Sequence, residues 1–246
     1  MVRVLGITQA RIGSTRLPKK ILLKIENKTL LEYHLERALQ SNKVTDWIVA
    51  TTNEIDSNDI VEIAKNFGIK YFKGDTSNVL KRFYEATKLV ERPDYVVRIT
   101  SDCPLIDPKL IDHVIDFAIQ NKLHYCRTSE QFPDGVDVEV FTYSILVDAY
   151  TNAILLSDKE HVTPFMRRKF ENEASLFKFN EDYHHIRLTV DEMADFDAIK
   201  LLITKLGSKL IWREYTKYIE ENESLFFNQK IVRNEGYIKS LEKDDK

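Results

Sequence analysis

Cysteine is almost missing from this chain, and its two examples, Cys103 and Cys126, form neither a C-x-x-C pair nor a spacing that frames a zinc site or a disulfide scaffold. That usage fits a reducing, cytoplasmic setting. Net charge is scarce as well: 36 Lys and Arg against 39 Asp and Glu leave −3 near neutral pH. Such a balance offers nothing to nucleic acid or to an anionic membrane, so any anion site has to be local. Long apolar runs are also lacking. The opening VRVLGIT is interrupted by Gln9 and Arg11 before it can act as a secretory signal, and no run approaches the roughly 20 residues of a bilayer span. With no internal repeat and no low-complexity linker, the 246 residues read as one domain, 43% apolar, with enough chain to bury a sizeable core.

What is present first is alternation of β-branched runs with helical periodicity, the pattern of β-α units on a largely parallel sheet. Val2–Thr8, Trp47–Thr52, Ile69–Phe72 and Tyr95–Ile99 read as strands. Between them, Leu31, Leu35, Ala38 and Leu39 mark one helical face, and Ile60, Ile63, Ala64 and Phe67 another that Gly68 ends. A helix over Val79–Val90 follows, and Asp107 with Pro108 caps a further one through Ala118. After about Leu123 the pattern changes. VDVEVF alternates as a half-buried strand, Ser157 and Glu160 stand at capping-box spacing, and His185–Val190 reads as a last strand before a helix to Leu206. This divides the single domain into residues 1–123, residues 124–206, and a charged helical tail over 207–246.

The segment QARIGSTRLPKK, residues 9 to 20, directly follows the first strand, where open α/β sheets place ligands. Arg11, Arg16, Lys19 and Lys20 crowd into it around Gly13, Ser14 and Thr15. Glycine lets backbone N–H groups approach an anion, hydroxyls add donors, and Arg binds phosphate oxygens through two parallel bonds. The loop is neither G-x-x-x-x-G-K-[ST] nor G-x-G-x-x-G, so P-loop hydrolysis and dinucleotide binding lose support. It reads either as a polyphosphate cradle or as a solvated basic turn.

Two aspartates each close an expected strand: Asp102 after YVVRITS and Asp191 after HIRLTV. Carboxylates there face the same crevice as the loop, and Mg²⁺ takes one or two carboxylates together with phosphate oxygens. The competing readings are a turn or capping aspartate for Asp102 and a helix N-cap for Asp191. Asp137 and Glu139 share a strand face by the period of two, behind Asp134 in a P-D-G turn, and that face suits either acceptor hydroxyls or plain solvent. Its D-x-E spacing also admits a metal-dependent glycosyltransferase that uses a nucleotide-sugar. His161 near a helix start and Arg187 before Asp191 are further acceptor contacts, or else a packing residue and an ion pair. Cys103 has no evident His partner, which disfavours a thiol nucleophile.

Taken in order, QARIGSTRLPKK, VLKRFYEA, VVRITSDCPLIDP, FPDGVDVEVF, SDKEHVTPFMRR and RLTVDEMADF resemble the spore-coat polysaccharide biosynthesis protein F group. That group lies within the cytidylyltransferases that include the 3-deoxy-manno-octulosonate and acylneuraminate enzymes. The resemblance implies a three-layer, Rossmann-like nucleotidyltransferase fold with a mostly parallel mixed sheet and a small β/helical substructure for acceptor and dimer contacts. It further implies CTP as donor, Mg²⁺, a small sugar-like acceptor, and a homodimer built through FTYSILVDAY and HVTPFM. Arg11, Arg16 and Lys20 match its triphosphate-binding pattern and, with Asp102, its catalytic set. Asp102 and Asp191 match its metal positions. Gln9, Ala10, the GDTSN turn with Thr76, and Ser101 fall where it places the nucleotide. Lys19 departs from the pattern, since relatives often carry glycine there. Thr100-Ser101 replaces the Gln-Gly frequent in the sugar-acid enzymes, which loosens the inference to their acceptor.

Overall fold

The computed structural model describes residues 2–170 and 175–244. The chain opens with strand β1 (Val4–Gln9), buried along nearly its whole length, then runs through the basic loop to a small hairpin, β2 (Lys24–Ile25) and β3 (Lys28–Thr29). Helix α1 (Leu30–Ala38) starts at Thr29, whose hydroxyl accepts from the Glu32 N–H while Glu32 reaches back to the Thr29 N–H, a complete capping box. Three β-α units follow: β4 (Asp46–Thr52), α2 (Asn58–Asn66), β5 (Lys70–Gly74), α3 (Val79–Ala86), β6 (Tyr95–Thr100) and α4 (Pro108–Gln120). Gly68 ends the α2 turn with φ +67°, the left-handed conformation that glycine adopts freely. Asp107 caps α4 through the N–H groups of Lys109 and Leu110, with Pro108 at the first helical position.

The second half adds β7 (Tyr125–Thr128), β8 (Glu139–Thr142), α5 (Tyr143–Asn152), α6 (Leu156–His161), α7 (Pro164–Lys169) and β9 (Ser175–Phe177), followed by α8 (Met193–Leu206), α9 (Trp212–Glu221) and α10 (Glu235–Asp244). The strand order β5-β4-β1-β6-β8-β7-β9 makes one seven-stranded sheet. Strands β5, β4, β1 and β6 are parallel; β8 turns antiparallel to both β6 and β7, and β9 is parallel to β7. This is a mixed, mostly parallel α/β sheet.

Its two faces are buried by different helices. Leu5, Ile7, Ile48, Ala50 and Val96 pack with Val79, Leu80 and Phe83 of α3, Ile145 and Leu146 of α5, and Met166 of α7. On the opposite face Val97 and Ile99 pack with α4, α8 and α9, while Val49 meets α1 and α2. The alternation of Val96 with Val97, and of Ile48 with Val49, is the strand period expressed as two cores. Among the described residues no helix is long and apolar enough to cross a membrane.

Several expected elements differ. The helix over Val79–Val90 stops at Ala86 and tightens into a 3₁₀ turn, Thr87–Leu89. The expected strand His185–Val190 is extended but joins no sheet, because its partner is the P-D-G turn: the Asp134 N–H donates to the Ile186 carbonyl and the Leu188 N–H to the Asp134 carbonyl. In VDVEVF, ladder pairing begins only at Glu139, so Asp137 and Glu139 do not share a strand face. No capping box forms at Ser157 and Glu160; the helix starts after Leu155, and the Ser157 N–H donates to Asp244 from the C-terminal helix instead. The N-cap of α8 is Glu192, whose N–H donates to the Asp195 carboxylate, rather than Asp191. Of the apolar residues in FTYSILVDAY and HVTPFM, Ile145, Leu146, Ala149, Val162 and Met166 are buried in the chain's own core, while Tyr150 is exposed.

Candidate active site

A cavity of about 630 Å³ opens at the carboxyl ends of β1 and β6, roofed on one side by the C-terminal segment. The basic loop forms one wall. Buried Ile12, Leu17 and Ile21 pin it from below, and the N–H groups of Ser14 and Lys19 both donate to the Ile12 carbonyl, so the loop curls over a fixed point. Gln9, Ala10, Arg11, Gly13, Ser14, Thr15, Arg16 and Lys20 all line the cavity.

Lys19 does not line it. Its backbone is left-handed, φ 56° and ψ 24°, and its exposed side chain reaches outward to Asp56 at 3.7 Å. A left-handed residue is the one that turns Lys20 inward, and glycine adopts that conformation without steric cost, which accounts for glycine at this place in resembling sequences.

Lys20, carried on a 3₁₀ turn, is the centre of the site. Its Nζ lies 2.7 Å from Asp102 Oδ2 and 2.7 Å from Asp191 Oδ1, joining residues far apart in sequence. Burial disfavours the charge on Lys20, but Asp102 and Asp191 outweigh it and hold its pKa above the usual lysine value. Burial likewise opposes the Asp102 carboxylate, and Lys20 overcomes it, leaving that carboxyl well below its ordinary range. Arg16 adds a second cation, 3.0 Å from Asp191 Oδ2.

Arg187 positions this centre from beneath. Only 4% exposed, it holds both oxygens of Asp195 (2.8 and 3.0 Å), Asp134 Oδ2 (2.6 Å) and Asp191 Oδ2 (3.2 Å). Asp195 Oδ2 also accepts the N–H groups of Asp191 and Glu192, fixing the turn that presents Asp191. The ion-pair reading of Arg187 therefore describes it, and an acceptor contact does not: its guanidinium is committed to three carboxylates.

Glu139 is corrected in the same way. It is 3% exposed and receives Arg98 Nη1 at 2.5 Å, Arg167 Nη2 at 2.7 Å, and the hydroxyls of Tyr125 and Thr163 at 2.6 and 2.8 Å. Burial opposes its charge, and Arg167 and Arg98 prevail, so its carboxyl titrates well below the usual range. It anchors two cavity arginines and has no free face for an acceptor hydroxyl or a nucleotide-sugar metal. Asp134 and Asp137 remain at the cavity wall. Asp137 accepts the Gly135 N–H and Arg233 Nη2. Asp134 is pushed up to about 7 by burial and by Asp137, against the pull of Arg233 and Arg187.

His161 ends α6 rather than starting it. Its Nε2 is buried without a partner, and burial together with Arg98, Arg167 and Arg11 lowers its pKa to about 4, so it is neutral near pH 7. Ser101 lines the cavity beside Asp102; Thr76 does not. In its turn the Asp75 carboxylate takes the N–H groups of Ser77 and Asn78, and the cavity side chain there is the buried Arg82. Sequence reasoning passed over Arg82, Arg98, Arg167, Arg233 and Tyr237. An arginine inside the apolar strand YVVRIT was the readable signal for Arg98; Arg233 and Tyr237 carry none, since the tail's placement is tertiary.

Two carboxylates around one cation, beside a loop with further cations, form a donor set suited to Mg²⁺ and phosphate oxygens together. No group of three or more His, Cys, Asp or Glu suited to a metal occurs among the described residues, so phosphate oxygens and water would complete the coordination.

A mixed, mostly parallel sheet with a basic loop after its first strand and two carboxylates beyond the carboxyl end of β6 is the arrangement of a nucleotidyltransferase of the three-layer α/β class. Comparison narrows this. Residues 5–232 match the cytidylyltransferase family, and the chain belongs to it. It is 32% identical over 218 residues to the spore coat polysaccharide biosynthesis protein SpsF of Bacillus subtilis, covering 84% of this chain and 88% of that one. It is 36% identical over 252 residues to a 3-deoxy-manno-octulosonate cytidylyltransferase of Fusobacterium nucleatum, covering 98% and 89%. The solved structure of a cytidylyltransferase from Leptospira borgpetersenii superposes with a TM-score of 0.88 at 31% identity, over 95% of this chain and all of that one.

Proposed function

We propose that the protein transfers CMP from CTP to a sugar, sugar-acid or related phosphorylated acceptor, releasing pyrophosphate, and that it serves surface polysaccharide or glycoconjugate assembly. The observation that carries this reading is the meeting of Lys20 with Asp102 and Asp191 at the mouth of the basic loop. The names of the Bacillus and Fusobacterium relatives support the acceptor class.

In this reading an acceptor oxygen attacks the α-phosphorus, a hydroxyl acceptor giving up its proton to solvent, the bond from that phosphorus to the bridging oxygen breaks, and pyrophosphate leaves with the electron pair. Asp102 and Asp191 would hold Mg²⁺, which would neutralise charge on the phosphates. The chain's own groups do the rest. Arg11 and Arg16 with the Gly13–Thr15 backbone bind and orient the triphosphate, and Lys20 is placed to follow the charge that develops on the leaving group. Asp134 and Asp137 face the acceptor half, with neutral His161 as a hydrogen-bonding partner there.

Thermal unfolding with CTP, UTP, ATP, GTP and CMP, each with and without Mg²⁺, tests the donor without prior choice of acceptor. CTP with Mg²⁺ at about 100 times its dissociation constant should raise the midpoint by roughly 5–10 °C and exceed the other nucleotides. Pyrophosphate release on adding 3-deoxy-manno-octulosonate or other sugars then tests the acceptor. A midpoint indifferent to every triphosphate would overturn the proposal.

A further inference from the structure

The cytidylyltransferase match ends at residue 232, yet the chain that follows builds part of the cavity wall. Arg233 anchors its start, donating to the carbonyls of Glu130 (3.2 Å) and Phe132 (2.9 Å) and to Asp137 (2.8 Å). Asn234, left-handed at φ 61°, then turns the chain into α10, which packs against α6. The far end is tied by Asp244, which accepts the Ser157 N–H at 2.9 Å. Between these anchors Tyr237 lays its ring edge-to-face on His161 at 5.2 Å, and Glu235 reaches Arg16 Nη1 at 3.1 Å.

That last contact sets two anions on one donor. Arg16 is an arginine of the basic loop, and its guanidinium is divided between Asp191 and Glu235. The Arg16 and Glu235 side chains are 30% and 37% exposed, so the pair is weak and easily exchanged. A triphosphate brings several charges to the same guanidinium and repels Glu235, which keeps Lys239 as an alternative partner at 2.6 Å. Nucleotide and strap therefore compete for Arg16, and the coupling is reciprocal by linkage: whatever loosens the strap strengthens nucleotide binding.

We propose that the strap Arg233–Asp244 is a nucleotide-sensitive cover, latched by Glu235 on Arg16 and released when a nucleoside triphosphate takes that arginine. Release lifts Tyr237 away from His161 and widens the acceptor side, which makes nucleotide the first substrate to bind. The inference rests on the assignment of Arg16 to the triphosphate, and its test separates the two.

Amide hydrogen exchange on the full chain, with and without Mg²⁺–CTP, reads the strap directly. Exchange across 235–244 should speed up on nucleotide binding while the core strands slow. Glu235→Gln should bind Mg²⁺–CTP roughly three- to fivefold more tightly than the wild type, as expected for losing one half-exposed competing ion pair. A purely structural Glu235 would give the opposite sign. Strap exchange that stays constant or slows, in a sample whose melting midpoint shows CTP bound, overturns the latch and leaves the nucleotide reading standing; equal or weaker binding by Glu235→Gln does the same. No midpoint shift with CTP removes the nucleotide reading and the latch with it.

Discussion

Lys20 keeps its charge in a buried place because two carboxylates meet it, and the buried Asp102 carboxylate in turn depends on that ammonium. Asp102→Asn should therefore lower turnover by about 100-fold or more, the scale of losing one preorganised electrostatic contact, while Asp191 still pairs Lys20 and the fold survives. Pyrophosphate release at the wild-type rate would remove Asp102 from the metal site. Lys19 gives a contrasting expectation. Its left-handed backbone costs about 1–2 kcal/mol, partly offset by the entropy glycine would add, so Lys19→Gly should gain about 0.5 kcal/mol and keep the full CTP-induced shift in midpoint. A diminished shift would mean that Lys19 does contact phosphate. His34 reports on the floor of the site. Its Nδ1 must donate to the Cys103 carbonyl at 2.9 Å, so its Nε2 accepts from the Thr8 hydroxyl at 2.8 Å, and that second bond, in this direction, demands the neutral ring. Burial lowers its pKa from 6.5 to about 4. As pH falls below 6.5 the unfolded chain takes up the proton first, so stability is whole above that value and declines down to about 4, by on the order of 3 kcal/mol. Denaturant titrations of wild type and His34→Gln across that window should differ in slope; parallel curves would discard the assignment. At this scale the convergence of Arg11, Arg16, Lys20, Asp102 and Asp191 on one cavity was legible because each follows an apolar strand run or lies in the basic loop. Glu139 and Arg187 were left between two readings because a charged residue beside a cavity looks alike in sequence whether it faces substrate or is consumed by ion pairs.

Between residue and fold, the elements decide where the aspartates stand. The extended segment before Asp191 is held by backbone bonds to the P-D-G turn, and Gly135 in that turn has φ +102° with no room for a side chain: a Cβ would come within 2.4 Å of Leu188 C and Thr189 N. Gly135→Ala has to move one backbone or the other. We expect about 3 kcal/mol of destabilisation from strain and overlap together, with Asp191 displaced and CTP affinity reduced. Unchanged chemical denaturation would show that the turn tolerates the methyl group. The helices α1, α2 and α4 and the four parallel strands were readable, since each carries its own periodicity and caps. The segment 185–190 was not, because apolar alternation records burial on one side without recording what lies alongside. Ser157 shows the same limit in a helix cap: the partner of its N–H is Asp244, 87 positions away.

At the scale of the whole molecule, β8 is bonded directly to β6, so the sheet runs without a break from the first half of the chain into the second. Residues 1–123 and 124–206 should then melt as one unit. Tryptophan fluorescence and far-ultraviolet circular dichroism should give superimposable denaturation curves, and two separated transitions would restore an independent second domain. The seam near Leu123 was visible as a change in pattern; the shared sheet across it was not, because strand pairing is set by partners remote in sequence. The cavity itself is nearly balanced, with nine Arg and Lys and eight Asp and Glu along its lining, in a chain whose net charge is −3. A nucleotide approaching from solution meets no strong long-range field, since among the described residues all but Arg11 and Arg82 of the nine cations have a carboxylate within 4.0 Å. The rate of encounter should thus be close to insensitive to ionic strength, and discrimination among nucleotides is left to the exchange of partners inside the cavity, where the residence time of the bound ligand is set.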